Sequence, residues 1–333
     1  MRRLLKAFLH CSTLAPYLFG LLLPLAFACY SAAPARAQEN AVRNTAPGAT
    51  ASPSEFPEDL QKLVQLAQMQ SRDPLLKGWD YLAQLLITDG YPRQDVYALF
   101  SHPRMPSRTF IPFKLKPRES PHIYRHFFSE KKLRAARDFL YAQRRAFAAA
   151  EKAYGVPRSV VAAILLIETH FGKTTGREQV LHKLSRLASV RDPQNLHQNY
   201  QQLLVEDGTV SVAEMLARAR YLEETFYPEV KALLQIAKRR KVSPHGILGS
   251  SAGAFGIPQF LPSSYLRFAV DGNGDKVISL FQEADAIASA ANFLAAHGWK
   301  NPRTLEQKRE VIWRYNKSDA YVDAVLGVAA RLK

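Results

Sequence analysis

The chain has 333 residues, 45 Lys and Arg against 29 Asp and Glu, a formal net charge of +16, and 47% hydrophobic residues. That length supports one large or two modest domains with a well-buried core. Both cysteines, Cys11 and Cys29, lie in an N-terminal leader, so the mature protein is expected to have no disulfide, no thiol nucleophile and no cysteine metal site.

Met1-Arg2-Arg3-Leu4-Leu5-Lys6 is a basic start, Leu18 to Ala28 an apolar stretch, and Ala35-Arg36-Ala37 a small-x-small site before Gln38. This is the pattern of a signal peptide over residues 1–37, cleaved near Ala37. It predicts export to the periplasm of a Gram-negative bacterium. Pro24 and the cleavage site argue against a retained anchor. Lipidation at Cys29 is the weaker reading, because Ala26 stands where a lipobox carries Leu. Without the leader's four basic residues, 41 basic face 29 acidic ones, a net +12. Such a surface favours an anionic polymer or a membrane face. For an exported protein an acidic wall polymer is a better partner than nucleic acid.

Residues 38–58, rich in Pro, Ala, Ser and Thr, read as a flexible linker that cannot bury enough apolar surface to order itself. Residues 59–120 read as a small helical N-terminal lobe: apolar spacing is helical from Leu60 to Phe100, broken at Asp73-Pro74 and Gly90-Tyr91-Pro92, and a Pro-rich basic connection follows from Pro103 to Pro121. Glu130 to Tyr154 reads as one long helix. Pro157 then fits the first turn of the next helix and Gly172 a position past its end, giving about 14 residues and roughly 21 Å.

That helix is apolar all round from Val160 to Ile167, which predicts burial. It ends on Glu168, followed by Thr169-His170-Phe171-Gly172. A carboxyl there loses solvation, which raises its pKa and suits it to general-acid work. The competing reading is an ordinary carboxylate paired with Lys or Arg.

Arg191 to Thr209 reads as a polar, loop-like insertion around Asp192-Pro193-Gln194-Asn195, with helix from Gln198 to Leu204, and Ser211 to Arg240 as a further helix. On it, Arg218 and Arg220 are candidates for ligand carboxylates or simply a solvated face. Gly249 to Tyr265 clusters small residues where backbone must approach something closely, around Gln259, whose amide both donates and accepts. Ser263 or Ser264 is placed to cap the next helix. No run shows the period-2 alternation of a sheet, so the fold class is mainly α.

Four segments carry a family resemblance. Glu168-Thr169-His170-Phe171-Gly172 resembles the E-T-x-[WF]-G signature of the lytic murein transglycosylase B family. Ser251-Ala252-Gly253 through Gln259-Phe260-Leu261-Pro262-Ser263-Ser264-Tyr265 is similar to its Gly-rich A-G-x-x-G-x-x-Q-F-x-P-S-S-Y element. Ala291-Asn292-Phe293 with His297-Gly298-Trp299, and Arg314-Tyr315-Asn316-Lys317-Ser318 with Tyr321, resemble two later ones. The four cover roughly residues 120–333 in the family's order.

The resemblance implies a lysozyme-like core of the goose-lysozyme and soluble lytic transglycosylase type, with residues 121–333 as the catalytic domain. It implies cleavage of the MurNAc-(β1,4)-GlcNAc bond of peptidoglycan strands without water, to a 1,6-anhydro end, with Glu168 as acid and then base. Ser250, Ser251, Gln259, Tyr315 and Asn316 would line the saccharide cleft, and Tyr124 would add an aromatic contact. Asp192 and Asp271 are the obvious second carboxylates for the alternative, a muramidase on the same scaffold; a non-catalytic wall-binding scaffold protein is a third reading. Cell-wall synthesis or division proteins are possible partners, and no motif selects one.

No cofactor is required by this class. Asp271, Asn273, Asp275, Val277 and Ser279 nevertheless follow the oxygen spacing of a calcium loop, and some members of the family hold a metal there. Lys276 replaces the usual Gly and Gln282 the usual Glu, with Glu283 one residue late. The alternative is a loop closed by its own Asx turns.

Overall fold

The computed structural model describes residues 65, 72–117, 120, 122–299 and 304–332. The expected signal peptide, the linker and most of the start of the N-terminal lobe lie outside the described residues.

Twelve α-helices follow one another with almost no sheet among the described residues. The centre is α5, Arg158–Thr169, in which Val160 to Ile167 are all buried. Around it pack α3 (Glu130–Ala142), α4 (Arg144–Tyr154), α10 (Glu283–Leu294) and α12 (Asp319–Ala330). An apolar helix surrounded on all sides is what its sequence demanded. It is 12 residues long; Pro157 stands just before it, and His170, not Gly172, is the left-handed residue that closes it, its N–H bonded to Leu166 O.

Glu130 to Tyr154 is two helices, not one. The break falls at Gln143 (φ −98°, ψ 21°). Turning there lets α3 lay Leu133 and Ala136 toward α5 while α4 carries Phe147 and Ala150 to α10, and Phe139 meets Phe147 edge-on across the bend (5.9 Å). A straight helix would leave one of these faces in water.

The stretch Arg191 to Thr209 is likewise no loop. It is mostly α7, Pro193–Asp207, capped by the Asp192 carboxylate, which accepts from Asn195 N. Its polar composition misled because Asn195 and Asn199 are buried: their amides pair with the main chain of Ile111 and Phe113 as a strand edge would. A buried amide with partners is tolerated where a bare one is costly. Residues 72–117, including α1 (Asp80–Thr88) and α2 (Arg93–Ser101), thereby lie against α7, against α6 (Val180–Ala188) and against the 29-residue α8 (Val212–Arg240). Arg108 and Asp192 form a buried ion pair (3.2 Å), Tyr81 donates to Glu223 (2.6 Å), and Trp79 meets His182 edge-on.

The only strands among the described residues are β1, Glu178–Gln179, and β2, Leu248–Gly249, antiparallel with Glu178 opposite Gly249. Short as it is, this pair fastens the chain after α5 to the start of the Gly-rich segment. Close approach requires Gly176, at φ +91°: a Cβ there would sit 2.0 Å from the Gly249 carbonyl oxygen. Of the remaining helices, α9 (Pro262–Phe268) packs on α8 and α10, and α11 (Leu305–Tyr315) on α10 and α12.

Candidate active site

Glu168 stands in the last turn of α5, where the chain leaves the helix through three successive left-handed residues, His170 (φ 52°), Phe171 (φ 60°) and Gly172 (φ 87°). Two non-glycine residues in that region cost of order 1–3 kcal/mol each, so the surroundings must hold the turn. They do so at Thr169, fully buried, whose hydroxyl donates to Ile257 O (2.8 Å) and accepts from Gly172 N (3.0 Å). Phe171 is stacked on Phe139 (4.2 Å). The turn joins the end of α5 to the Gly-rich segment.

The Glu168 side chain keeps intermediate exposure at the end of an otherwise buried helix. Among the described residues no Lys or Arg pairs with it; Oε1 accepts from the Tyr321 hydroxyl at 2.7 Å. Burial pushes its pKa up to about 7, with the Tyr321 hydrogen bond pulling the other way. The ion-pair reading of this residue does not hold. Tyr321 itself stays neutral, since burial and the nearby carboxyl drive its pKa well up.

Three tyrosines pack in a row beside the acid. Tyr124 meets Tyr321 edge-on (5.9 Å) and Tyr321 lies parallel to Tyr315 (6.5 Å). The Tyr315 hydroxyl donates to Pro258 O (2.6 Å), fixing the end of α11 to the Gly-rich wall. Asn316, buried at the end of α11, leaves Oδ1 without a protein partner, and each such group has a cost of about 1–3 kcal/mol unless a ligand or water meets it. Gln259, also left-handed (φ 51°), donates from Nε2 to Thr175 O (3.2 Å) and Gly256 O (2.8 Å). Both amide hydrogens are spent on carbonyls, so toward the opening it can only accept, through Oε1.

Glu168, Gln259, Tyr315 and Asn316 are thus tied through shared neighbours. Ser250 is buried, with its hydroxyl spent on the main chain of Ala254, whereas Ser251 is exposed. Tyr124, at 2% exposure, backs Tyr321. Asp192 is occupied by Arg108 and Asn195. Arg218 lies over the Tyr221 ring (5.2 Å) and Arg220 is exposed on the same helix. Sequence reasoning passed over two residues: Tyr321, although it closes the last motif, and Thr169, although it sits inside the first. A residue whose work is to bond another side chain has no spacing of its own to reveal it.

The 271–279 loop is held by itself. Asp271 accepts from the amides of Asn273, Gly274 and Lys276, and Asp275 from that of Val277. The Asn273 amide nitrogen donates to Asp275 Oδ2 and Gln282 Oε1, joining the side chains at positions 3, 5 and 12. Buried Asp285 closes the loop through the amides of Gly272 and Ser279. Lys276 occupies the left-handed position (φ 68°) where a calcium loop has Gly. Among the described residues no three His, Cys, Asp or Glu side chains converge as a metal site. The donor set, two carboxylates and no bidentate Glu, does not fit calcium well. Just beyond the loop, Leu280 O accepts from Ile257 N behind the Gly-rich wall.

This helical core, with a desolvated acid ending its central helix, defines a class. A family model described as a transglycosylase SLT domain matches residues 76–310, and the chain belongs to that family. It is 35% identical over 146 residues to the membrane-bound lytic murein transglycosylase B of Escherichia coli (strain K12); the aligned part is 44% of this chain and 33% of that protein, so the chain spans about a third of that relative's length. Solved structures give the fold. The Escherichia coli lytic transglycosylase SLT35 in complex with calcium is 22% identical, covers 77% of this chain and 92% of that one, and superposes with a TM-score of 0.58. SltB1 from Pseudomonas aeruginosa is 24% identical over 76% and 97%, TM-score 0.56. SltB3 from the same organism, in complex with NAG-NAM-pentapeptide, is 19% identical over 78% and 79%, TM-score 0.56. The fold is mainly α and lysozyme-like.

Proposed function

We propose that this protein is a lytic transglycosylase that cleaves the MurNAc-(β1,4)-GlcNAc bond of peptidoglycan strands and leaves a 1,6-anhydro-MurNAc end. The observation that carries the reading is the state of Glu168: a carboxyl raised to about 7, bonded to a neutral tyrosine, with burial and Tyr321 as the influences acting on it. Such a group is protonated often enough to give a proton and ionised easily enough to take one back.

Because Tyr321 donates to Oε1, the carboxyl's own hydrogen belongs on Oε2, which passes it to the glycosidic oxygen as the C1–O bond breaks. The oxygen of the substrate's N-acetyl group stabilises C1, an accepted departure from the two-carboxylate scheme. Glu168, now ionised, takes the proton of the C6 hydroxyl, whose oxygen closes on C1. The acid is restored and no water is consumed. Gln259 Oε1 and the unpartnered Asn316 Oδ1 supply acceptors for sugar hydroxyl or N-acetyl N–H groups, and Tyr315 a flat face. Asp192 and Asp271, the candidates for a hydrolase's second acid, are both committed elsewhere, which favours the lyase over the muramidase.

The site of action inferred from the leader is the periplasm. Among the described residues no helix is long and apolar enough to cross a membrane. Residues 121–333 are proposed as the catalytic unit, with residues 72–117 bracing α7 and α8.

Purified sacculi incubated with the mature protein test the reading. Anhydro-muropeptides identified by mass are expected, and Glu168→Gln should release none while still sedimenting with sacculi. Muropeptides with reducing ends would establish a hydrolase instead, and binding without product a scaffold protein.

A further inference from the structure

A second buried carboxyl lies in the second half of α8 and takes no part in the chemistry described above. Glu229 is 7% exposed, and both of its oxygens turn to one residue: Oε2 accepts from the Ser263 amide (2.7 Å) and Oε1 from the Ser263 hydroxyl (2.6 Å). Burial pushes its pKa up, while the two Ser263 bonds and Arg267 pull it down. A carboxylate withdrawn from water is tolerated only where donors replace the water it gave up. Here one serine supplies both.

Ser263 stands where the Gly-rich wall turns into α9. That helix begins at Pro262, which has no N–H, so Ser263 carries its first unpaired amide. Leu261, at the cap position, has no side-chain acceptor, and the Ser263 hydroxyl, which the sequence offers as the cap, donates to Glu229 and accepts from Arg267 Nη2 (3.1 Å) instead. The cap comes from 34 residues upstream. Residues nearer by are committed to the wall: Phe260 packs on Phe293 (5.7 Å) and Tyr315 (5.9 Å), and Leu261 on the core. Before Gln259 the wall is fastened by Ile257 N to Leu280 O and by the Tyr315 hydroxyl to Pro258 O. After it, the fastenings are the backbone bonds exchanged by Phe255 and Phe260 (2.9 and 3.1 Å) and the Glu229–Ser263 pair. Gln259 is left-handed (φ 51°), a conformation that persists only where its flanks are held.

We propose that Glu229 is a positioning residue for the saccharide site: by fixing Ser263 it holds the Gly-rich wall where Gln259 Oε1 meets the sugar. Being buried, it acts through Gln259 and not on the substrate. This rests on the reading of Gln259 as a saccharide acceptor and adds the group that holds it in place. A contact made to ground state and transition state alike shows in KM, so loosening the wall should raise KM and spare kcat.

The test is a mutant cycle on soluble peptidoglycan strands. Glu229→Gln keeps the shape and one acceptor but replaces the carboxylate by a neutral amide; KM should rise about fivefold with kcat within about twofold. Ser263→Ala, losing the hydroxyl bond alone, should move KM the same way by about twofold. In a Gln259→Asn background, which keeps a residue at ease in the left-handed region but shortens its reach, Glu229→Gln should raise KM by less than about twofold further. Val96→Ala, which opens a cavity at a buried position of α2, should lower Tm and leave KM where it is. An unchanged KM in Glu229→Gln, a fivefold rise that persists beside Gln259→Asn, or an equal rise from Val96→Ala would overturn the proposal. End groups of the same products keep the two readings apart: reducing ends with the KM pattern intact would refute the lyase alone, and anhydro ends without the pattern would refute the role of Glu229 alone.

Discussion

A carboxyl held near pKa 7 for catalysis should burden the fold above that pH, and the burden can be measured without assaying activity. Glu168 moves from an ordinary value of 4.5 to about 7 on folding. At about 1.36 kcal/mol per unit this is of order 3 kcal/mol. The direction matters: the folded value is the higher one, so between 4.5 and 7 the native state binds more protons than the unfolded chain. Stability from this group is fully present below pH 4.5 and is lost as pH rises through 7. Glu168→Gln keeps size, shape and an oxygen that accepts from Tyr321, but cannot ionise. In urea melts at pH 8.5 the variant should therefore exceed the wild type by up to about 3 kcal/mol, or roughly 5–10 °C in Tm, with the gap closing toward pH 5. A gap that is the same at both pH values, or that widens in acid, would refute the account of a desolvated Glu168.

Tyr321→Phe removes the one hydrogen bond that favours the ionised Glu168, so the alkaline limb of the pH–rate profile for anhydro-muropeptide release should move up by about one unit, whereas Tyr315→Phe, whose hydroxyl bonds Pro258, should move it less. Gly176→Ala drives a methyl into the Gly249 carbonyl and strains a left-handed residue; a loss of about 3 kcal/mol in denaturant melts is expected, and an unperturbed midpoint would show that the two walls are not clamped there. Chelator and millimolar calcium should each leave Tm within about 1 °C, because the 271–279 loop satisfies its own oxygens; a calcium-dependent rise of several degrees would restore the metal reading.

The buried helix was legible because nothing but a surrounded helix explains apolar residues at every position from Val160 to Ile167, and its acid followed from where that run stops. The Gly-rich wall was legible for a similar reason: at Gly176, Gly253 and Gly256 a Cβ would collide with Gly249, Leu184 and Leu280. What stayed hidden depended on partners far along the chain. The polar run of α7 looks solvated until Ile111 and Phe113 are placed beside Asn195 and Asn199. The break at Gln143 is not written in its neighbours, which all suit a helix; α5 and α10 impose it by asking two faces of one stretch to point different ways.

The same distinction separates the two kinds of residue at the site. Glu168 and Gln259 are exceptions to their surroundings, a carboxyl ending an apolar run and an amide among small residues, and exceptions show in a sequence. Thr169 and Tyr321 are unremarkable where they stand, yet one fixes the turn after the acid and the other bonds its oxygen across 153 residues of chain.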